Sequence, residues 1–225
     1  MLTDGSFRTR ITQEGKARYT MFEVNVQQEK PGNQYDKSEI DTVAILPVRN
    51  VVVYPHMAAA LVADRSGSIK ILEEAFQQDK MVMILLQRDP ENDDPAPDDL
   101  HKYGTLVRID KMMKLPEDNL HSVVHGVSRA RVLEVMQTEP VMQARVELLE
   151  DQQEESIEGK GLAHNLVEQF QRLIELVPTM AEELRIPLIN LEADPSKLAD
   201  FIAFNLKISL EDQQALLELS DAQER

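Results

Sequence analysis

Two histidines, His121 and His125, have the residue type and spacing most suggestive of metal chemistry in this sequence. They lie four residues apart on a segment that is predicted to form a strand and a turn, so both imidazoles could share one face. A zinc site needs at least three protein ligands. No third ligand lies nearby, and the chain contains no cysteine. A pair of surface histidines is therefore favoured over a metal centre, and we expect no metal in this chain.

Two other groups of residues could do chemistry. The segment NDDPAPDD, residues 92–99, holds four aspartates, but a calcium loop of the EF-hand type needs a glycine that is missing here. A solvated acidic loop is favoured. His56 follows Tyr54 and Pro55 and could act as a general base. Since no nucleophile lies nearby in the sequence, a hydrogen-bonded structural histidine is the preferred interpretation.

The sequence motifs of nucleotide hydrolysis and peptide cleavage are absent. Gly15-Lys16 and Gly159-Lys160 lack the upstream glycine of a phosphate-binding loop. Neither a Gly-x-Ser-x-Gly elbow nor a His-Glu-x-x-His pair occurs. We therefore expect the isolated chain neither to hydrolyse ATP nor to cut unfolded protein.

Composition limits the possible partners. The chain has 225 residues, enough for one large or two small domains, and a formal net charge of −16. Such a charge disfavours nucleic acid, because phosphate contacts need Lys and Arg. Tryptophan is absent and aromatic residues make up 4%, which leaves little for base stacking. No apolar run reaches the ~20 residues of a membrane span, and no secretion signal is recognisable. With no cysteine, a cytoplasmic location is favoured.

The first half of the ordered sequence is predicted to be rich in strands. The segment AILPVRNVVVYPHM, residues 44–57, is apolar on both faces but broken by Pro47 and Arg49, which indicates a short buried strand and an extended connection. Helical spacing of Ile69, Leu72 and Phe76 predicts one helix. A bulge or strong twist is predicted within residues 127–136. The predicted strands are residues 43–48, 57–63, 81–86, 106–113, 120–124, 127–136 and 142–148.

The second half is predicted to be helical. Apolar residues recur at helical spacing from Leu162 to Val177, Asp194 and Pro195 form a helix start, and Ser209 begins a capping box. The acidic and glycine-containing segment before Leu162 is predicted to be a hinge. The predicted organisation is a flexible N-terminal arm at residues 1–40, a β lobe at 41–151, a hinge at 152–161 and a helical lobe at 162–225.

Five sequence motifs in register resemble the N-terminal domain of the ATP-dependent protease Lon. LPVRNVVVYPHM resembles the signature that opens this domain, and DDPAPDDLHKYGTLVRI resembles its second loop and strand. KMMKLPEDNLHSVVHGVSRARV is similar to its Leu-Pro hairpin followed by Gly-x-x-Arg-Ala-Arg. DPSKLAD and the Asp-x-x-x-Arg ending at Arg225 resemble its helical part. The resemblance covers residues 41–225. It departs from the family at Asp64–Ser68, where Arg65 matches but the neighbouring charged pair is lost, and at the turn after Leu115, which lacks glycine.

The resemblance implies an α+β fold: a PUA-like mixed β pseudo-barrel lobe with one helix, followed by a small helical-bundle lobe. It implies a non-catalytic domain that recognises unfolded or damaged polypeptides and supports assembly of a homo-hexamer. In the full-length protease, ATP and Mg²⁺ would act in an ATPase module and a Ser-Lys dyad would cut the substrate, so no cofactor is expected in this chain. Two alternatives stay open: a stand-alone regulatory protein with this domain, and an RNA-binding module, since PUA-like lobes often bind RNA.

The candidate substrate-binding residues are apolar side chains near predicted turns. Methionine surfaces adapt to varied apolar partners, and Met112 and Met113 run into the predicted hairpin turn. The candidates are Tyr54, Met57, Arg65, Met112, Met113 and Leu115. The competing interpretation is that the methionines belong to the core and that Tyr54, like Arg49 and His56, is structural.

Overall fold

The structure, a computed structural model, describes residues 42–114, 119–152, 156–176 and 181–225. The predicted arm, its possible strand at residues 21–26, the candidate Leu115 and most of the hairpin turn lie outside the described residues. Residues 153–155 of the predicted hinge and Pro178, predicted to end a helix, also lie outside them.

The residues that the structure describes form six strands and five α-helices, with the strands in the first part of the chain and four of the helices after them. The strands are β1 (Thr42–Val48), β2 (Ala58–Ala63), β3 (Met81–Leu86), β4 (Tyr103–Lys114), β5 (Leu120–Gln137) and β6 (Gln143–Leu149). The helices are α1 (Ser66–Gln77), α2 (Ile157–Glu175), α3 (Ala181–Leu191), α4 (Pro195–Asn205) and α5 (Leu210–Glu218). The α+β class is thus confirmed, with α1 as the α-helix of the β lobe.

The strands form one sheet that closes into a barrel. Their order is β2-β5-β4-β3-β1-β6, and an additional pairing of β5 with β6 closes the ring. Only β1 and β3 run parallel. The long strand β5 pairs through its first half with β2 and β4, and through its second half with β4 and β6. Strand β2 therefore extends the sheet outside the closed ring.

Strand β1 is apolar on both faces because each face packs into a different hydrophobic core. Val43 and Ile45 belong to a cluster that also holds Met83, Leu106 and Ala144 from other barrel strands. Leu46 and Val48, on the other face, belong to a second cluster, which combines residues from the β lobe, α1 and the helical lobe. The sequence-based prediction of a buried strand is confirmed, and the second cluster packs the two lobes against each other.

The prediction of separate strands at residues 120–124 and 127–136 is wrong, because β5 continues through Gly126. A Cβ atom at Gly126 would lie 2.1 Å from the Tyr54 carbonyl oxygen. The Gly126 carbonyl accepts a hydrogen bond from the His56 N–H at 2.9 Å, and the Gly126 N–H donates to the Met57 carbonyl at 2.8 Å. Glycine thus lets the Tyr-Pro corner pack directly on an unbroken strand. The predicted irregularity is present as a register shift between Val132 and Glu134.

Helix α2 differs from the prediction at its start and in its buried face. Ser156 caps the helix by accepting the Gly159 N–H at 2.8 Å, so Ile157–Gly161, predicted as hinge, are helical. The helix buries Ala163, Val167, Phe170 and Ile174. Leu162, Leu166 and Leu173 are exposed. Helix α2 carries two apolar stripes, and packing of the Phe170 ring against Phe201 of α4, with centroids 6.5 Å apart, selects one.

The predicted starts of the last two helices are confirmed. The Asp194 side chain accepts the Lys197 N–H at 3.2 Å, with Pro195 as the first residue of α4. The Ser209 hydroxyl accepts the Asp212 N–H at 3.1 Å at the start of α5. These caps satisfy backbone donors that a helix start leaves open.

We expect Gly126→Ala to lower the free energy of unfolding by about 3 kcal/mol or more, because the added methyl group meets backbone rather than a movable side chain. Urea unfolding followed by circular dichroism measures the change. Gly67→Ala in α1 is the matched control, since its Cβ would meet nothing within 4 Å. It should leave stability unchanged or raise it by up to ~1 kcal/mol. Equal stability of the two variants would contradict the close contact at the corner.

Candidate functional site

A row of three side chains, apolar at both ends with a histidine between, crosses one face of the strands β4, β5 and β2. Met113 lies opposite His121, and His121 lies opposite Val62. Met113 is 61% exposed and Val62 46% exposed. In the next row, Lys111 lies opposite Val123 and Val123 opposite Ala60. We call these strand positions, with Ala58, the outer face. Of the predicted site residues, only Met113 belongs to it.

The predicted pair Met112 and Met113 is divided between the two faces of the sheet. Successive side chains of a strand point to opposite sides. Met113 is therefore on the outer face, whereas Met112 is half-buried and packs against the core cluster that joins the lobes. The structure thus places Met112 against the core and leaves Met113 at the surface.

Tyr54 and Met57 do not offer the surface expected of them. Tyr54 is 0% and Met57 2% exposed. The Tyr54 hydroxyl donates to the Gln213 carbonyl of α5 at 2.7 Å. Burial, with the nearby Asp200 carboxylate, raises the pKa of the Tyr54 phenol, so it stays neutral. The expectation of exposure was wrong because the corner is pressed onto β5, and the structural interpretation of Tyr54 fits its contacts.

Arg65 and Arg49 hold the acidic loop against the end of β1. The Arg65 guanidinium donates to the Pro47 carbonyl at 3.1 Å and to the Asp93 carbonyl at 3.2 Å, and Arg49 forms an ion pair with Asp93. Burial and the neighbouring Arg49 charge lower the pKa of Arg65. These hydrogen bonds place Arg65 at β1 and the acidic loop rather than in the apolar row of the outer face.

The metal candidates do not converge. His121 and His125 both lie on β5, His125 where a turn was predicted. In the acidic loop, the Asp99 carboxylate accepts hydrogen bonds from the Ala96 N–H and the Asn92 side chain, both at 3.0 Å. Among the residues that the structure describes, no three His, Asp or Glu side chains are arranged to hold a metal ion.

Sequence reasoning missed a buried ionic cluster, which consists of Arg129, Asp151, Asp200 and Arg225. Arg129 donates through Nη1 to Asp200 and to Asp151, both at 3.0 Å, and through Nη2 to the other Asp200 oxygen. Arg225 donates to Asp200 and to Asp151, both at 2.8 Å. The side chains of Arg225 and Asp200 are 0% and 1% exposed. Two positive and two negative groups thus neutralise one another, three of them buried and Asp151 26% exposed.

The ionic cluster fastens the two lobes together. Arg129 comes from β5, Asp200 from α4, and Asp151 from the segment after β6. The Arg129 Nε also donates to the Leu217 carbonyl of α5 at 3.1 Å. The Ser196 hydroxyl donates to Asp151 at 2.6 Å. Burial alone would raise the pKa of Asp151, but Arg129, Ser196 and Arg225 outweigh it and hold this pKa below its ordinary value.

A second exposed apolar surface, here called the helical face, lies on α2 and α3. A groove of about 220 Å³ at one end of it is lined by Leu162, Leu166, Pro195 and Ala222. The exposed side chains of this surface are Leu162, Leu166, Leu173, Leu176, Ile186 and Ile189. The helical spacing of Leu162, Leu166 and Leu173 was its signal in the sequence, but spacing alone does not tell an exposed stripe from a buried one. None of the helices that the structure describes is long and apolar enough to span a bilayer.

The sequence of the chain is similar to those of known proteins. Residues 42–225 match the family described as the ATP-dependent protease La (LON) substrate-binding domain. The chain is 38% identical over 185 residues to the Lon protease of Dictyoglomus thermophilum, covering 82% of this chain and 23% of that protein. It is 35% identical over 190 residues to the Lon protease of Escherichia coli K12, covering 84% and 24%. The chain thus spans about a quarter of the length of these relatives.

Two solved structures share the fold. The N-terminal domain of Lon protease from the Mycobacterium avium complex has a TM-score of 0.68 at 19% identity, covering 81% of this chain and 92% of that one. The Lon N-terminal domain protein from Xanthomonas campestris has a TM-score of 0.58 at 17% identity, covering 81% and 93%. At this identity the likeness concerns the fold, and it includes both lobes because most of the chain is aligned.

We expect Arg129→Met to lower the free energy of unfolding by about 3–5 kcal/mol, because it leaves Asp200 buried with one cationic partner fewer. Denaturant titration gives the value. Arg131→Met is the matched control: Arg131 lies two residues along β5 and pairs with Glu147 at the surface. Its midpoint should stay close to that of the parent. Similar losses of stability in both variants would show that the buried ionic cluster contributes no more to stability than a surface ion pair does.

Proposed function

Since this chain belongs to the family of LON substrate-binding domains, we propose that it is a non-catalytic recognition domain that holds unfolded or damaged polypeptides for an ATP-dependent serine protease. The observation that carries the proposal is the exposure of two apolar side chains, Val62 and Met113, on either side of His121 on the outer face. The chain has a net charge of −16, so exposed apolar side chains stand out from its largely charged surface. Exposed apolar surface of this kind is characteristic of interaction sites.

The size of the outer face suits weak binding. Burial of apolar area contributes ~25 cal/mol per Å², and a row of a few side chains offers a small area. Ordering an unfolded segment costs part of that gain, so the affinity should be about micromolar. A contact of this strength can hold a polypeptide and release it for translocation.

The charge of the chain separates this proposal from RNA binding. A PUA-like lobe that bound RNA would need clustered Lys and Arg, whereas several arginines here form ion pairs within the chain, Arg49 at the surface and Arg129 and Arg225 in the interior. The stand-alone regulatory alternative keeps the same binding role without a protease. The gene sequence downstream of Arg225 would distinguish that alternative.

We propose that the helical face supports assembly into the homo-hexamer. It combines six exposed leucine and isoleucine side chains with a groove beside α4. Obligate interfaces between copies of a chain are more apolar than transient ones. Because the ionic cluster joins the lobes, a copy docked on α2 would also hold the outer face in a defined direction.

We assign no cofactor to this domain. In the resembled full-length protease, ATP and Mg²⁺ would act in the ATPase module, and the Ser-Lys dyad would cleave the substrate polypeptide. The proposal also includes a cytoplasmic location, where such a protease would meet damaged proteins.

We expect Met113→Ser to weaken binding of reduced, carboxymethylated α-lactalbumin about threefold to tenfold, which corresponds to ~1 kcal/mol for one apolar side chain. Fluorescence titration at low and moderate salt measures it, and the affinity should change little with salt. Met136→Ser is the matched control, since Met136 is 55% exposed at the other end of β5. Its affinity should equal that of the parent.

The same titration with single-stranded RNA tests the alternative partner. RNA affinity, if present, should fall steeply with salt because phosphate contacts release counterions. Tighter binding of RNA than of the unfolded protein would overturn the proposed function. Equal effects of Met113→Ser and Met136→Ser would leave the outer face without a role.

We expect the chain to self-associate weakly, and the double variant Leu166→Glu/Leu173→Glu to abolish this, because buried carboxylates without partners are costly. Sedimentation equilibrium at several concentrations measures it. Met113→Glu, on the outer face, is the control and should associate as the parent does. A parent chain that stays monomeric at the highest concentration would contradict a role of the helical face in assembly.

A further inference from the structure

Strand β2 has one edge without a partner strand among the residues that the structure describes. It pairs with β5 on one side only. The barrel strands β1, β3, β4, β5 and β6 each have neighbours on two sides. An unpaired strand edge presents a row of backbone donors and acceptors that an extended chain can use.

The register identifies which backbone groups face this edge. The Gly126 N–H donates to the Met57 carbonyl, and the register continues as Ala59 opposite Val124 and Leu61 opposite Ser122. In an antiparallel pair, hydrogen-bonded and non-hydrogen-bonded positions alternate. Ala59, Leu61 and Ala63 therefore bond to β5. The N–H and C=O groups of Ala58, Ala60 and Val62 point to the open edge.

The open edge lacks the features that normally protect an edge strand. Natural edges carry charged residues, proline or bulges that discourage pairing. Strand β2 reads AAALVA, with no charge, no proline and no register shift, in a chain with 28% charged residues. The same residues that offer the backbone groups, Ala58, Ala60 and Val62, have side chains on the outer face. Backbone and apolar side-chain contacts are thus available together.

We propose that an extended segment of an unfolded polypeptide binds by adding a strand to the open edge of β2. This inference rests on the proposed function and names the binding mode. Backbone hydrogen bonds carry no sequence information, so one edge can accept many substrates. Side chains of the added strand that share the outer face lie beside Val62 and continue the row to Met113.

The mode defines a substrate class. Strand β2 has six residues, so the bound segment is about as long. It is free of proline at the bonding positions, since proline has no N–H to donate. Apolar residues at alternate positions face the outer row. Acidic segments are disfavoured by the net charge of −16. Folded proteins hide such segments, and unfolded ones expose them.

Amide hydrogen exchange on the intact chain tests the mode directly. The probe is a synthetic peptide of alternating valine and threonine, flanked by lysines for solubility. At saturation, exchange at Ala58, Ala60 and Val62 should slow at least tenfold, while Ala59, Leu61 and Ala63, already bonded to β5, should change little. Peptide binding without this alternation would overturn the inference.

A variant separates the edge from the outer face. Ala60→Pro removes one N–H that points to the edge and none that bonds to β5, so peptide affinity should fall at least tenfold. Ala60→Val keeps the N–H and should bind as the parent does. Retained protection of Ala59 and Leu61 would show that Ala60→Pro is folded; if it is not, the exchange pattern of the parent decides.

The outcomes distinguish this inference from the proposed function. If Ala60→Pro binds the peptide normally while Met113→Ser weakens binding, the outer face stands and the edge has no role. If the peptide and the carboxymethylated protein both fail to bind, both proposals fail. Protection of Ala58, Ala60 and Val62 without peptide would also overturn the inference. If this protection increased with protein concentration, the edge would be occupied by a second copy of the chain. If it disappeared when residues 1–41 were deleted, the edge would be occupied by that segment.

Discussion

The ionic cluster of Arg129, Asp151, Asp200 and Arg225 is the constraint on which the arrangement of the two lobes depends. A charge without a partner is costly inside a protein, so each of these side chains requires the others at hydrogen-bonding distance. Arg129 can meet Asp200 only when β5 and α4 are in place together. The apolar core that spans both lobes holds them together but does not fix their relative orientation, because the hydrophobic effect is non-directional. The hydrogen bonds between guanidinium and carboxylate groups fix that orientation, because they form in only a few geometries.

This constraint gives the two exposed apolar surfaces a defined relation. The outer face and the open edge lie on β2 and the strands beside it, while the helical face lies on α2 and α3. A polypeptide bound at one surface and a neighbouring copy docked at the other would be connected through a shared core and the ionic cluster rather than a loose linker. For a domain proposed to hold substrates for a protease, such a connection orients the bound segment relative to the assembly.

Much of the fold could be predicted from local sequence. The buried run of β3, the helical spacing in α1 and the caps at Asp194 and Ser209 were visible because their signals lie within a few residues of each other. The candidate site was harder. Met113 is exposed and Met112 is half-buried against the core, because successive side chains of a strand point to opposite faces. Tyr54 and Met57 were predicted to be exposed and are buried, since burial at that corner depends on Gly126, some 70 residues away.

The sequence was enough to identify the family and the α+β class, and three of the four residues of the ionic cluster lie in recognisable motifs: Arg129 in Gly-x-x-Arg-Ala-Arg, Asp200 in Asp-Pro-x-x-Leu-Ala-Asp, and Arg225 in Asp-x-x-x-Arg. Only the tertiary structure decided that these three side chains meet, that the Phe170 stripe of α2 is buried and the Leu166 stripe exposed, and that β2 has an open edge. The physical reason is that periodicity and capping act over one or two turns of chain. Pairing of charges, choice between two apolar stripes and closure of a barrel depend on contacts between distant residues, whose partners local sequence does not specify.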